Sequence, residues 1–173
     1  MTVFEKFKKT KAFVFDVDGV LTNGEILVTE NGEQLRTFFI KDGYALQLAV
    51  KRNFPIAVIT GGKSQGIKSR MQGLGIKDVF TDISNKIEIL NNWMAEHNLK
   101  SEDVLFMGDD IPDLEAMKSV GFATCPADAV EDIKAVSQYI SSFNGGRGAV
   151  RDVIEKVMRL QDKWDKDTSI KSI

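Results

Sequence analysis

The apolar run Ala12-Phe13-Val14-Phe15 leads directly into Asp16-Val17-Asp18-Gly19-Val20-Leu21-Thr22. A short, continuously apolar run reads as a buried strand, so two carboxylates one residue apart are delivered at its C-terminal end. In open α/β sheets that edge is where ligands bind. Carboxylates this close repel each other unless a proton or a cation neutralises one of them. The economical reading is a divalent-metal site beside a carboxylate nucleophile; the bland one is a turn rich in Asp and Gly.

Apolar β-type runs then alternate with helical patterns along the chain. Strands are expected at 12–17, 55–59, 104–107 and 122–124, with weaker ones at 79–80 and 139–140. Helices are expected at 44–52, 64–74, 86–97, 112–119, 129–135 and 149–164. This alternation predicts an α/β fold, a Rossmann-like doubly wound parallel sheet with helices on both faces. No repeat or linker divides the 173 residues, a length that suits one domain with a real core. The polar tail, 162–173, is expected to be mobile. One piece breaks the alternation. Asn31-Gly32 lies between β-prone runs at 25–29 and 33–39, which predicts a hairpin from Val28 to Phe39, placed at the mouth of the site as a lid.

Composition narrows the function. A net charge of −2, with acid and base mixed along the chain, offers no nucleic-acid surface. No apolar run approaches the roughly 20 residues of a bilayer span, and the first residues lack the apolar core of a signal peptide. Cys125 is the only cysteine and His97 the only histidine. A reducing, cytoplasmic setting is therefore expected, and Cys/His zinc clusters and Ser-His-Asp triads are very poor fits.

Three further segments carry chemistry. Ile56–Ile59 runs into Thr60-Gly61-Gly62 before a helix, placing a hydroxyl and flexible amides where an anion binds. Ser84-Asn85-Lys86 opens another helix, and a cation at that end gains nothing from the macrodipole, so Lys86 calls for an anionic partner. Val104–Met107 ends in Gly108-Asp109-Asp110-Ile111-Pro112-Asp113. With Asp16 and Asp18, these carboxylates describe an oxygen-rich cage suited to Mg²⁺.

The order Asp-x-Asp-Gly-x-Leu-Thr, Thr-Gly, Lys, Gly-Asp-Asp-x-x-Asp resembles the haloacid dehalogenase superfamily of phosphohydrolases over Ala12 to Asp113. The resemblance implies Asp16 as nucleophile and Asp18 as general acid/base. It implies phosphoryl binding by Thr60, Gly61 and Lys86. Mg²⁺ would be held by Asp16, Asp109 and the backbone carbonyl of Asp18, with Asp110 and Asp113 in support. The spans from Asp18 to Thr60 and from Lys86 to Asp109 hold only a hairpin, short helices and a strand, so no cap domain fits.

A finer resemblance rests on Phe15–Thr22, Lys41-Asp42-Gly43-Tyr44, Ser84-Asn85-Lys86 and Gly145–Asp152. These segments look like the capless 3-deoxy-D-manno-octulosonate 8-phosphate phosphatases. That family implies a homotetramer whose neighbours complete each active site, and a sugar-acid phosphate as the small-molecule substrate. Its substrate contacts fall on Asp18, Phe39, Ile40, Lys41, Asp42, Gly43, Gln47, Gly62, Arg70 and Lys86, with Arg147 as a further anion contact or part of a plain glycine turn. The chain departs from the family at Gly62, where an Arg is common. A nine-carbon keto-sugar acid 9-phosphate is the alternative substrate, and a capless protein phosphatase the competing class.

Overall fold

The computed structural model describes residues 1–173. Six strands form one parallel sheet: β1 Ala12–Phe15, β4 Ile56–Ile59, β5 Asp78–Phe80, β6 Val104–Met107, β7 Phe122–Cys125 and β8 Tyr139–Ile140. Their order is β5-β4-β1-β6-β7-β8. From β1 the main-sheet path runs outward through β4 and β5, then returns to β6 on the other side of β1. The central strand is therefore the switch point, and a crevice opens beyond its C-terminal end. β1 is in register with both neighbours, Phe15 beside Val58 of β4 and beside Met107 of β6. The residues after these strands consequently emerge at one edge.

Seven helices are α1 Val3–Lys9, α2 Ile40–Lys51, α3 Gln65–Gly73, α4 Lys86–Glu96, α5 Leu114–Ser119, α6 Glu131–Val136 and α7 Ala149–Leu160. Successive strand residues point to opposite faces, and the two cores follow that rule. Phe13, Phe15, Ile56, Val58, Leu105 and Met107 pack with residues of α1, α2, α3 and α7. Ala12, Val14, Ala57, Ile59, Val104 and Phe106 pack with residues of α4, α5 and α6. The doubly wound parallel sheet expected from the sequence is what the chain forms, and no cap domain is evident. No helix is long and apolar enough to cross a membrane.

Several boundaries differ from expectation. β1 stops at Phe15 because the Asp16 side chain accepts a hydrogen bond from the next amide and starts a turn. Helix α2 begins at Ile40, not at Tyr44. Helix α1 is an addition to the expected elements; Thr2 and Glu5 form a capping box that starts it. The hairpin pairs only β2 Leu27–Val28 with β3 Gln34–Leu35, with Gly32 at positive φ in the turn. The tail also differs, for it lies along α2. Tyr44 and Gln47 donate to the carbonyls of Asp167 and Lys171, Lys51 pairs with Asp167 at 2.5 Å, and Trp164 packs edge-on against Tyr44.

The glycines at 145 and 146 have a steric reason. A Cβ on Gly145 would stand 1.7 Å from the carbonyl oxygen of Gly19, and one on Gly146 would press on Thr22 and Asn23. This turn supports the loop that follows β1 from beneath. Gly145→Ala should therefore cost about 1–3 kcal/mol through overpacking and displace the Asp16–Asp18 loop. Urea denaturation should show a lower midpoint, with turnover falling alongside; a variant as stable and active as wild type would contradict this support role.

Candidate active site

Asp16 follows β1, Thr60 follows β4, and Gly108-Asp109 follow β6, so the sheet edge gathers them by topology alone. The cleft they border encloses about 310 Å³ and is lined by Asp16, Asp18, Gly24, Thr60, Gly61, Gly62, Ile83, Ser84, Lys86, Asp109, Asp110 and Pro112. Asp16 is largely buried. Its Oδ1 accepts from the Val17 amide at 2.6 Å and lies 3.0 Å from Lys86 Nζ. Gly19, at φ 87°, turns the chain back. A Cβ there would meet Asp109 Oδ2 at 2.0 Å, so only glycine lets that carboxylate lie against the loop. Thr22 ties the loop together, accepting from the Gly19 and Gly24 amides and donating to the Val17 carbonyl.

Lys86 is the first residue of α4, capped by Asn85. Buried to 5 % exposure, it donates to Asp113 Oδ1 at 2.7 Å. Asp113 uses its other oxygen to accept from the Asp109 amide at 3.1 Å. The anionic partners that the sequence demanded of Lys86 are therefore Asp16 and Asp113. Burial alone would lower the Lys86 pKa, but the two carboxylates outweigh it and the net shift is upward.

Asp16, Asp109 and Asp113 each bring a carboxylate oxygen within 4.8 Å of the others. Asp109 Oδ1 is buried with no hydrogen-bond partner. Burial, followed by repulsion from Asp113, pushes Asp16 up to about 7. Burial, then Asp16 and Asp113, pushes Asp109 up to about 8. An orphaned oxygen among crowded hard anions fits a divalent cation. Asp110 is exposed and accepts from the Ile111 amide at 2.8 Å, holding the turn that carries Asp113.

The anion-binding elements are also in place. Thr60 is 1 % exposed, and its Oγ1 accepts from the Gly62 amide at 3.0 Å. That bond leaves the hydroxyl proton free to point toward the cleft.

Other expected contacts lie elsewhere. Phe39, Ile40, Lys41, Asp42, Gly43, Gln47, Arg70 and Arg147 do not line this cleft. Asp42 is buried, and its Oδ1 accepts from the Arg151 amide at 2.8 Å in the first turn of α7. Burial pushes its pKa up to about 6 despite the backbone amides that face it. Gln47 is bonded to the tail. Arg70 has its guanidinium over Gly43, so that a Cβ there would come within 2.7 Å of it. Arg147, Lys41 and Phe39 border a separate basic groove of about 750 Å³ beside α7. Conversely, Arg36 has its guanidinium on Asp18, with Nε to Oδ1 at 2.6 Å and Nη2 to Oδ2 at 3.0 Å. No sequence signal singles Arg36 out, because its meeting with Asp18 depends on how the hairpin folds back.

Known proteins resemble this chain in both sequence and fold. The haloacid dehalogenase-like hydrolase family matches residues 29–127. The 3-deoxy-D-manno-octulosonate 8-phosphate phosphatase of Salmonella typhi is 34% identical over 94% of this chain and 87% of its own. The crystal structure of the Yersinia pestis protein of that name superposes with a TM-score of 0.91 at 31% identity, covering 93% of this chain and 87% of that one. The Moraxella catarrhalis protein of that name, solved in complex with magnesium ion, phosphate ion and the KDO molecule, gives 0.88 at 33% identity over 92% and 91% of the two chains. The chain thus belongs to the haloacid dehalogenase-like hydrolases and, among them, to the family of the 3-deoxy-D-manno-octulosonate 8-phosphate phosphatases, which are phosphoric monoester hydrolases.

Proposed function

We propose that this protein hydrolyses 3-deoxy-D-manno-octulosonate 8-phosphate to the free sugar acid and inorganic phosphate, with Mg²⁺, through an aspartyl-phosphate on Asp16. The observation that carries this reading is the convergence of Asp16, Thr60 and Lys86 beside the Asp109–Asp113 carboxylates in a chain of this family. Asp16 Oδ1 is engaged by the Val17 amide and Lys86, which leaves Oδ2 to attack phosphorus. Lys86, the Thr60 hydroxyl and the Gly61 amide take up the charge of the phosphoryl oxygens. As the Asp16 Oδ2–P bond forms, the P–O bond to the sugar breaks and its electron pair leaves with the sugar oxygen. Asp18 gives that oxygen a proton. It then takes one from a water that attacks phosphorus, breaking the Asp16–P bond and restoring the carboxylate. Asp16, Asp109 and the Asp18 carbonyl would hold Mg²⁺, with Asp110 and Asp113 in support. When bound, the ion neutralises negative charge on the phosphoryl group.

Phe39, Ile40, Lys41, Gln47, Arg70 and Arg147 fit this reading if they serve the cleft of a neighbouring copy in a homotetramer, whereas Asp42 and Gly43 are buried within their own chain. Leu27, Val28 and Leu35 on the hairpin are exposed by 67%, 61% and 48%, which supports burial between copies.

Phosphate release should be strongest with the eight-carbon sugar-acid phosphate in a panel that includes nine-carbon acids, neutral sugar phosphates and phosphopeptides. Preference for a phosphopeptide would overturn the assignment. Asp16→Asn should lose turnover by roughly 10³-fold or more. Asp18→Asn should lose roughly 10²–10⁴-fold in kcat with little change in KM; matched losses in kcat and binding would argue against an acid/base role.

The raised carboxylates give a second test. Asp16 and Asp109 hold protons in the fold that the unfolded chain, with carboxyls near 3.8, has released. Their contribution to stability is full below about pH 4 and is lost as pH rises through 7 to 8. A cation relieves the same repulsion and competes with those protons. Mg²⁺ should therefore raise the melting temperature more at pH 8.5 than at pH 6, and EDTA should abolish turnover. An equal rise at both pH values, or full activity in EDTA, would sink the carboxylate cage.

A further inference from the structure

We propose that Arg36 is the positioning residue for Asp18, a clamp carried by the hairpin that fixes the carboxylate serving first as acid and then as base; this rests on the acid/base reading above. Arg36 lies just after β3, and the hairpin's Leu27, Val28 and Leu35 are exposed, yet its own side chain is 4% exposed. Its Nε donates to Asp18 Oδ1 at 2.6 Å and its Nη2 to Oδ2 at 3.0 Å. This is the side-on, two-point geometry in which a guanidinium holds a planar carboxylate.

The other acids of the cleft are set by groups close to the core. Asp16 is held by the Val17 amide and Lys86, and Asp113 by Lys86 and the Asp109 amide. Asp18 receives nothing from the loop that carries it, because the Val17 amide goes to Asp16 and the Gly19 amide to Thr22. No group but Arg36 bonds either of its oxygens. A carboxylate that is 30% exposed and otherwise unheld would move among its rotamers. Proton transfer needs it within hydrogen-bond reach of one oxygen atom, so its orientation has to be imposed, and Arg36 imposes it.

The clamp leaves the acid usable. A carboxylate offers about four acceptor positions and Arg36 takes two, so each oxygen keeps a lone pair for the sugar oxygen or the water. Gly62 fixes where this happens. A Cβ at position 62 would stand 3.2 Å from Arg36 Nη2, and 3.3 Å from both Asp18 Oδ2 and Thr60 Oγ1. Gly62 does not have the left-handed backbone that would itself require glycine. Its missing side chain therefore makes room for the guanidinium at the phosphoryl end of the cleft. The clamped carboxylate is held beside Thr60, where the bridging oxygen of a phosphate monoester would lie.

The two half-reactions separate positioning from mere support. p-Nitrophenolate leaves with the electron pair of its P–O bond and needs no proton, whereas a sugar alkoxide does. Hydrolysis of the aspartyl-phosphate draws on Asp18 as base with either substrate. In stopped-flow kinetics on p-nitrophenyl phosphate with saturating Mg²⁺, Arg36→Met should release its first equivalent of p-nitrophenolate at close to the wild-type rate. Later turnovers should be roughly 10- to 100-fold slower than wild type, and the sugar-acid phosphate should lose at least as much with no burst. Arg36→Lys, which keeps the charge but loses the fork, should slow the later turnovers about three- to tenfold, and it carries the test should Arg36→Met not fold. A first equivalent slowed as much as the later ones would overturn the proposal, reducing Arg36 to a general support of the phosphoryl site. So would later turnovers at the wild-type rate. Asp18→Asn is the control. A burst there without one in the Arg36 variants would defeat this proposal alone, whereas no burst in Asp18→Asn would defeat the acid/base reading beneath it.

Discussion

Lys86 bridges Asp16 and Asp113 at 3.0 and 2.7 Å, in a site where these carboxylates and Asp109 crowd together. Removing one partner of a buried ion pair costs about 3–5 kcal/mol, a large share of the roughly 5–15 kcal/mol that holds a domain folded. The ammonium covers only part of the negative charge. Asp16 and Asp109 are both pushed well above the ordinary carboxyl range, and Asp109 keeps one oxygen unpartnered. The fold tolerates this because the deficit is what a phosphoryl site requires. An anionic nucleophile and an anionic substrate can meet only where cations have been arranged beforehand.

That arrangement depends on the central strand. β1 has parallel neighbours on both sides, and its four residues are fully buried. Asp16 is therefore held at the end of a fully buried strand that is paired on both sides. Small residues hold the loop beyond it: Gly19 yields to the Asp109 carboxylate, Thr22 closes the turn, and Gly145 passes against the Gly19 carbonyl. Each replaces a side chain by a close approach of backbone. The precision of the site comes from packing around the loop as well as from the catalytic side chains.

The hairpin is built differently. Its ladder pairs only two residues on each strand, and isolated hairpins of this size are marginal in water. The Arg36–Asp18 ion pair ties it to the cleft, which links this weakly supported element to the loop that follows β1. The tail is similarly tied to α2 by Tyr44, Gln47, Lys51 and Arg52. It lies along the face of α2 that carries Gln47.

The local patterns in the chain were enough to read the sheet and the acid-bearing loops. Buried parallel strands are continuous apolar runs, and the residues that end them, Asp16, Thr60 and Asp109, are adjacent in sequence to those runs. The misplaced charge of Lys86 at a helix start was also legible, because a macrodipole argument needs only the helix boundary. Asp42 is a substrate contact by resemblance alone, and no local pattern shows that its carboxylate accepts from the Arg151 amide at the start of α7, more than a hundred residues away. Arg36 carried no signal, since its neighbours Leu35 and Thr37 are exposed and only the return of the hairpin brings it to Asp18. Most elements and the chemistry at their ends follow from local pattern, because period and capping act over a few residues. Which distant groups meet there, Lys86 with Asp113, Arg36 with Asp18 above Gly62, was decided by tertiary structure, because charge pairing and steric room depend on distances that no local pattern encodes.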